Sequence, residues 1–180
     1  MRVRKFQVII DVCKCIRPEE FAAEPNKIYL MPKEQIMLLL RSGKETHMFT
    51  NLSYIQIKGE SAHTSRRLVR RFDYFDSPIG NVCYESAGVG VTDRDVELKF
   101  TIKGESVSID IWKSEAQVAI FFYKILAAIE NFQARNHLLL TLVKESAKGI
   151  SDPFSFALRA QSEFCPEDYS SIFDLVMNQK

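Results

Sequence analysis

One hairpin constrains the fold of this chain more than any other feature of its sequence. Residues 96–102 and 107–112 each alternate apolar with polar side chains, and Lys103-Gly104 lies between the two runs. Successive side chains of a β-strand point to opposite faces, so the alternation predicts two strands with one buried face each, joined by a tight turn. The apolar positions are Val96, Leu98, Phe100, Ile102, Val107, Ile109 and Ile111.

Further strands are predicted upstream of the hairpin, because short apolar or alternating runs there end at turn residues such as Gly43, Gly59 and Gly80. With the hairpin they make about seven strands. The segment up to Phe21 is apolar as well, but its periodicity fits a short helix and a strand equally. The predicted runs are residues 35–41, 46–50, 52–58, 67–75 and 82–86.

After Trp112 the period changes from two to 3.6, which predicts a long helix. Residues 114–117, Ser-Glu-Ala-Gln, have the spacing of a capping box. The helix has an apolar stripe, and its opposite side is apolar too, so we expect other elements to pack on both faces. The stripe is Val118, Phe121, Phe122, Ile125, Leu126, Ile129 and Phe132, and the opposite side is Ala119, Ile120, Tyr123, Ala127 and Ala128.

Two further helices are predicted after Gly149, a natural helix stop; they begin near Pro153 and near Pro166. Either these helices cover the second face of the long helix, or a partner or a second copy of the chain does so. Under the second alternative, the candidate partner-binding residues are Ile120, Tyr123, Leu139 and Leu142.

Composition allows one ordinary domain with a few added helices: the chain has 180 residues, of which 46% are hydrophobic and 26% charged. The formal net charge of +1 provides no overall attraction to nucleic acid or to an anionic membrane. The apolar run near the N-terminus is interrupted by Asp11 and Lys14, so no signal peptide is expected there. The four scattered cysteines fit free thiols, and a cytoplasmic location is expected.

Three stretches are similar to bacterial pleckstrin-homology (PH) domains. Residues 49–59 (FTNLSYIQIKG) resemble the family's strand–turn–strand segment, and residues 72–79 (FDYFDSPI) resemble its aromatic step. Residues 84–88 (YESAG) and 93–100 (DRDVELKF) resemble a further family pattern. The resemblance implies an α+β fold: a bent antiparallel β-barrel of about seven strands capped by a C-terminal α-helix, here with additional C-terminal helices. It divides the chain into an N-terminal extension (1–26), a PH-like domain (27–133) and a C-terminal helical extension (134–180).

A basic run at Arg66, Arg67, Arg70 and Arg71 is the candidate site for an anionic lipid headgroup, because guanidinium groups match phosphate oxygens. The alternative is a charged edge strand that resists aggregation. Eukaryotic lipid-binding relatives carry their basic residues after the first strand, where this chain has only Arg41 and Lys44. The resemblance therefore does not imply lipid binding.

No catalytic, metal or cofactor site is predicted. His47, His63 and His137 lie in separate elements without further ligands at metal spacing, and no glycine-rich phosphate loop is present. Asp93-Arg94-Asp95 is interpreted as a bend in which Arg94 neutralises the two carboxylates. The alternative is that the carboxylates bind a cation or act in acid–base catalysis. Trp112 is interpreted as a core residue closing the barrel end.

The sequence therefore predicts a non-enzymatic binding module. Its partner is expected to be a protein or a second copy of the chain. The alternative is peripheral attachment to an anionic membrane through residues 66–71. Nucleic acid is an improbable partner, because the basic patch is small and no base-stacking motif accompanies it. An enzyme with an unrecognised site is the remaining hypothesis.

Overall fold

Eight antiparallel strands form two sheets in the computed structural model, which describes residues 11–59, 66–86, 95–164 and 168–178. The first sheet has the order β1-β2-β3-β4-β5, and the second has the order β6-β7-β8. The strands are β1 (Lys14–Cys15), β2 (Ile36–Arg41), β3 (Glu45–Thr50), β4 (Ser53–Gly59), β5 (Arg67–Asp73), β6 (Ile79–Glu85), β7 (Asp95–Ile102) and β8 (Glu105–Trp112). The helices are α1 (Ala116–Ser146), α2 (Pro153–Phe164) and α3 (Ser170–Met177). The predicted α+β fold is confirmed.

The β7–β8 hairpin has the predicted register, with Leu98 opposite Ile109 and Phe100 opposite Val107 on the buried face. Lys103 and Gly104, the two residues between the strands, both have positive φ, at 51° and 79°. Two-residue turns of this handedness match the right-handed twist of the strands, and glycine adopts positive φ without strain. The turn therefore sets the register that buries the apolar face.

The segment before β2 belongs to the barrel. Lys14 and Cys15 pair with Arg41 and Leu40 of β2. On the other side, the Cys13 amide donates to the carbonyl of Asp110 in β8 (2.7 Å). These backbone bonds connect the two sheets. The described residues before the predicted domain boundary at 26/27 therefore pair with both sheets. The boundary itself stays a prediction.

β4 is mostly buried on both faces, whereas the second face is only half-buried in β7 and largely exposed in β8. On the inner face, Tyr54 joins the main apolar cluster; on the outer face, Ile55 and Ile57 join a second cluster. Ile16, Phe21, Tyr29 and Leu30, which lie in or beside two 3-10 turns (Pro18–Ala23 and Pro25–Tyr29), cover that outer face. The sheet therefore has a second core.

The predicted long helix exists, but two details of the prediction are wrong. Val118, expected on the buried stripe, is exposed, while Ala119, expected on the opposite side, is fully buried. The capping box does not form: α1 begins after a short 3-10 turn, and the Glu115 carboxylate accepts the Cys15 amide instead of capping α1. Contact with the barrel, rather than local capping, therefore determines how α1 starts and which face it buries. The buried face is Ala119, Phe122, Ile125, Leu126 and Ile129.

Trp112 was predicted to be a core residue, and this is wrong: it lies at the end of β8 with 37% of its surface exposed. The α1 helix continues through the predicted boundary at 133/134, which also stays a prediction. At 31 residues, it is about 45 Å long, which is longer than one barrel end requires.

Both C-terminal helices pack against α1. Ile172, Phe173 and Val176 of α3 are buried in the main cluster with the barrel residues. The Tyr169 amide donates to the carbonyl of Asn51 in the β3–β4 turn (2.8 Å), and the Asn51 side chain donates to Asp168 (3.1 Å). The α3 helix is therefore part of the fold.

Candidate functional site: an apolar cleft beside the barrel

A cleft of about 610 Å³ opens where α1 extends beyond the barrel. Its walls are the second half of α1, one side of α2, the β5–β6 loop and the start of α3. Sites for small ligands are commonly concave, mostly apolar and of this size. The lining residues are Leu52, Tyr74, Phe75, Asp76, Pro78, Gln133, Asn136, His137, Leu140, Val143, Lys144, Ala157, Gln161 and Tyr169.

Gln133 holds α1 against the loop that forms the floor of the cleft. Its side-chain oxygen accepts the amide of Ile79 (2.8 Å), and its side-chain nitrogen donates to the carbonyl of Tyr74 (2.7 Å). The rings of Tyr74 and Phe132 both meet Tyr169 edge-on, at 5.1 and 5.8 Å between centroids. These contacts join the loop, α1 and α3 into one rigid wall.

Two polar groups of the cleft have unusual surroundings. Burial raises the pKa of Tyr74 well above its ordinary value, and its buried hydroxyl has no hydrogen-bond partner within the described residues. Asp76 accepts the Ser77 hydroxyl (2.7 Å) and lies 3.6 Å from the Lys103 ammonium. The Ser77 hydrogen bond and the Lys103 charge lower the pKa of Asp76, so this carboxylate is ionised at neutral pH.

The predicted basic site is divided by the strand geometry of β5. Arg66 and Arg67 are exposed at its start. Arg70 pairs with Glu105 and lies 5.1 Å from the centre of the Phe72 ring. Arg71, on the opposite face, pairs with the buried Glu34 (2.7 Å). The four guanidinium groups therefore do not form one surface, because adjacent strand residues point to opposite sides.

The headgroup hypothesis stays a prediction that vesicle sedimentation can test. If residues 66–71 bind anionic headgroups, salt-sensitive binding to phosphatidylglycerol vesicles should be lost in Arg67→Glu/Arg70→Glu. Because carboxylates already engage Arg70 and Arg71, we expect the unmodified protein to bind anionic and neutral vesicles equally poorly. Strong anionic-vesicle binding that disappears in the double variant would contradict this expectation.

The four predicted partner-binding residues all lie on α1. Ile120, Tyr123 and Leu139 are half-buried, and Leu142 is 54% exposed. Tyr123 is partly covered by Tyr84 of β6, with ring centroids 6.4 Å apart. A helical wheel places Ile120 and Leu142 within about 40° of each other, on the side away from the cleft.

The histidines are separated in the structure. His47 is buried inside the barrel, where its Nδ1 is 2.7 Å from the Tyr54 hydroxyl and its Nε2 is 3.3 Å from Glu45. His137 lines the cleft. His63 and most of Asp93-Arg94-Asp95 lie outside the described residues. Within the described ranges, no group of three or more potential metal-ligating side chains is found.

Sequence reasoning missed the cleft because its walls come from segments more than 100 residues apart. The apolar run around Leu140 was the available signal, but it did not reveal which side of α1 would face Phe75 or Ala157.

Among the described residues, no helix has the length and apolar character that a membrane span needs.

The two bent sheets capped by α1 define the PH-like class of α+β proteins. The family model of the bacterial PH domain matches residues 7–130, and the chain belongs to that family. The chain is similar to the uncharacterized protein YvbH of Bacillus subtilis, with 32% identity over 138 residues, which are 76% of this chain and 67% of YvbH.

A crystal structure of a PH domain-containing protein from Exiguobacterium sibiricum is also similar. It shares 26% identity and a TM-score of 0.82, over 93% of this chain and all of that one. This match is longer than the region of the family model, so it includes much of the C-terminal helical region.

Proposed function

We propose that this protein is a non-catalytic binding module that associates with a protein partner or with copies of itself through its C-terminal helices. The bacterial PH fold supports this proposal, since PH-like families are generally non-catalytic. The cleft lining includes no serine or cysteine among the described residues, and its carboxylate, Asp76, is engaged by Ser77 and Lys103.

The observation that carries the proposal is the concentration of exposed apolar side chains in the C-terminal third of the chain. Leu138 and Leu142 lie one turn apart on α1, and Phe154 and Leu158 lie one turn apart on α2. Exposed apolar groups that cluster in this way mark interaction surfaces, because burying them removes them from water. The exposed apolar side chains of this region among the described residues are Leu138, Leu142, Ile150, Phe154, Leu158, Leu175 and Met177.

The distribution of charge favours a protein partner over nucleic acid or a membrane. The charged side chains near this surface include both signs, such as Lys148 and Glu145, which pair with each other. A formal net charge of +1 provides no long-range attraction to a polyanion. An apolar surface edged by charges of mixed sign is typical of protein interfaces.

Light-scattering mass tests the proposal on the full chain. We expect species larger than the 20.7 kDa monomer, and we expect Leu142→Glu/Phe154→Glu to shift the mass toward that of the monomer. A charge placed at the centre of an apolar interface is left without water or a partner, which is costly. The matched control is Ile28→Glu, which should leave the mass unchanged. Ile28 is also strongly exposed (79%), but it is far from α1 and α2 in the sequence.

A monodisperse monomer that also binds no apolar dye would contradict the proposal. Point substitutions are preferable to removing the residues after 134, because Phe173 and its neighbours on α3 are part of the main core. A truncated chain would expose that core and aggregate for reasons unrelated to function.

A further inference from the structure

The cleft contains a continuation of the core-facing side of α1. Phe122 and Leu140 are 18 residues apart, as are Ile125 and Val143. Eighteen residues are five turns of 3.6, so the members of each pair project in the same direction. The first member of each pair is buried in the barrel, and the second lines the cleft. This side of α1 is therefore shaped for burial along its length.

Four polar residues of α1 line the cleft: Gln133, Asn136, His137 and Lys144. Lys144 lies five turns after the buried Leu126, and His137 lies five turns after the buried Ala119. Within the described residues, no side chain forms an ion pair or hydrogen bond with the Lys144 ammonium. A lysine on this side of the helix places a positive charge beside a largely apolar cavity.

The described lining of the cleft carries one lysine, Lys144, and one carboxylate, Asp76. Asp76 is the acidic side chain among the lining residues, and Lys103 and Ser77 already engage it. The Lys144 charge therefore remains available to a negatively charged group. The remaining described walls are largely apolar or aromatic and include Leu52 and Phe75.

We infer that the cleft binds a small amphipathic anion, with an apolar chain against Leu140, Val143 and Phe75 and an acidic head at Lys144. A volume of about 610 Å³ suits such a ligand. The apolar chain of the ligand would cover apolar surface of the cleft that is now open to water. The acidic head of the ligand would form an ion pair with the Lys144 ammonium. This site is separate from the outward side chains of Leu138 and Leu142 that the proposed association uses.

Titration calorimetry with decanoate below its micelle concentration tests the inference on the full chain. Decyltrimethylammonium has the same chain length and the opposite head charge, and we expect it to bind at least tenfold more weakly than decanoate. Lys144→Gln should weaken decanoate binding by about tenfold, the factor expected when a hydrogen-bonded ion pair is lost. Lys148→Gln is the matched control, since Lys148 is outside the lining and already pairs with Glu145.

The apolar contacts are tested by Leu140→Gln against Leu142→Gln. Leu140 lines the cleft, whereas Leu142 projects away from it, so only the first substitution should weaken binding by about tenfold or more. Circular dichroism checks that each variant is folded. If Leu140→Gln is unfolded, the comparison of Lys144→Gln with Lys148→Gln decides whether the cleft binds the anion. Equal binding of the two amphiphiles, or decanoate binding that Lys144→Gln leaves unchanged, would overturn the inference.

Phosphatidylglycerol vesicles distinguish the two sources of such an anion. Vesicle binding that is lost in Lys144→Gln would assign the cleft to an anionic lipid. Decanoate binding without vesicle binding would assign it to a free carboxylate. Because Leu142 projects away from the cleft, the single interface variant Leu142→Glu should still bind decanoate, so failure of the proposed association and failure of this inference can be told apart.

Discussion

Phe173→Ala is expected to lower the free energy of unfolding by about 4 kcal/mol, the usual cost of removing a buried aromatic ring and leaving a cavity. Phe173 lies on α3 and is only 1% exposed. It belongs to the main apolar cluster together with barrel and α1 residues. Urea unfolding followed by circular dichroism measures the loss, and one cooperative transition is expected for the unmodified chain.

Leu175→Ala is the matched control, because Leu175 lies on the same helix and is 63% exposed. We expect it to change stability by no more than about 0.5 kcal/mol. If Phe173→Ala were as mild as Leu175→Ala, α3 would not be docked on the barrel in solution. If it has the expected cost, α3 is a structural element that no partner needs to hold.

Glu34→Ala is expected to cost about 3 kcal/mol, the range found when one member of a buried ion pair is removed. The Glu34 side chain is fully buried on the outer side of the sheet. It accepts the Arg71 guanidinium (2.7 Å), the Met31 amide (2.7 Å), and the hydroxyls of Thr50 and Ser53. Removing the carboxylate takes one acceptor from each of these four donors. Arg71 keeps its ion pair with Asp73, so the main loss is at the buried end of its guanidinium group.

The same group adds a pH dependence to stability. Burial by itself would raise the pKa of Glu34, but hydrogen bonds from Arg71, Met31, Thr50 and Ser53 outweigh it and hold the pKa below its ordinary value. A carboxyl with a lowered folded-state pKa stabilises the fold at pH values above its unfolded pKa, which is about 4.3 for glutamate. This contribution should be lost as the pH falls from about 5 toward the folded-state pKa.

Unfolding of Glu34→Gln and the unmodified chain at pH 7, 5 and 3.5 measures this dependence. We expect the difference in stability between them to shrink as the pH falls. Glu145→Gln is the control, since it removes an ion pair with Lys148 in which both side chains are exposed, and exposed pairs contribute less than about 1 kcal/mol. A variant Glu34→Gln that matched this control at every pH would show that the buried pair does not stabilise the protein.

Local patterns predicted the strands well where one face is buried and the other is solvated. The β7–β8 hairpin is the best example, since its alternation, its turn and its register are all present in the seventeen residues 96–112. The long helix was equally visible from its period. Its rotation was predicted less well, because Val118 and Ala119 both fit an apolar stripe and only the barrel decides which one is covered.

Two of the features that local reasoning misjudged depend on distant residues. The Glu115 carboxylate accepts a hydrogen bond from Cys15, 100 positions earlier, so the capping box is replaced by a contact with β1. The four arginines looked like one basic patch in the sequence, but strand geometry sends Arg70 toward Glu105 and Arg71 toward Glu34. Neither partner is predictable from the neighbouring residues.

By itself, the sequence determined the kind of secondary structure, the family, and the presence of more apolar helix surface than a simple barrel cap needs. These properties depend on side-chain periods of 2 and 3.6, which the backbone geometry of each element imposes locally. Only the tertiary structure decided that α3 enters the core, that Glu34 pairs with Arg71, and that α1, α2 and the β5–β6 loop enclose a cleft. Each of these contacts joins segments far apart in the chain, and their proximity depends on how the two sheets close around one core.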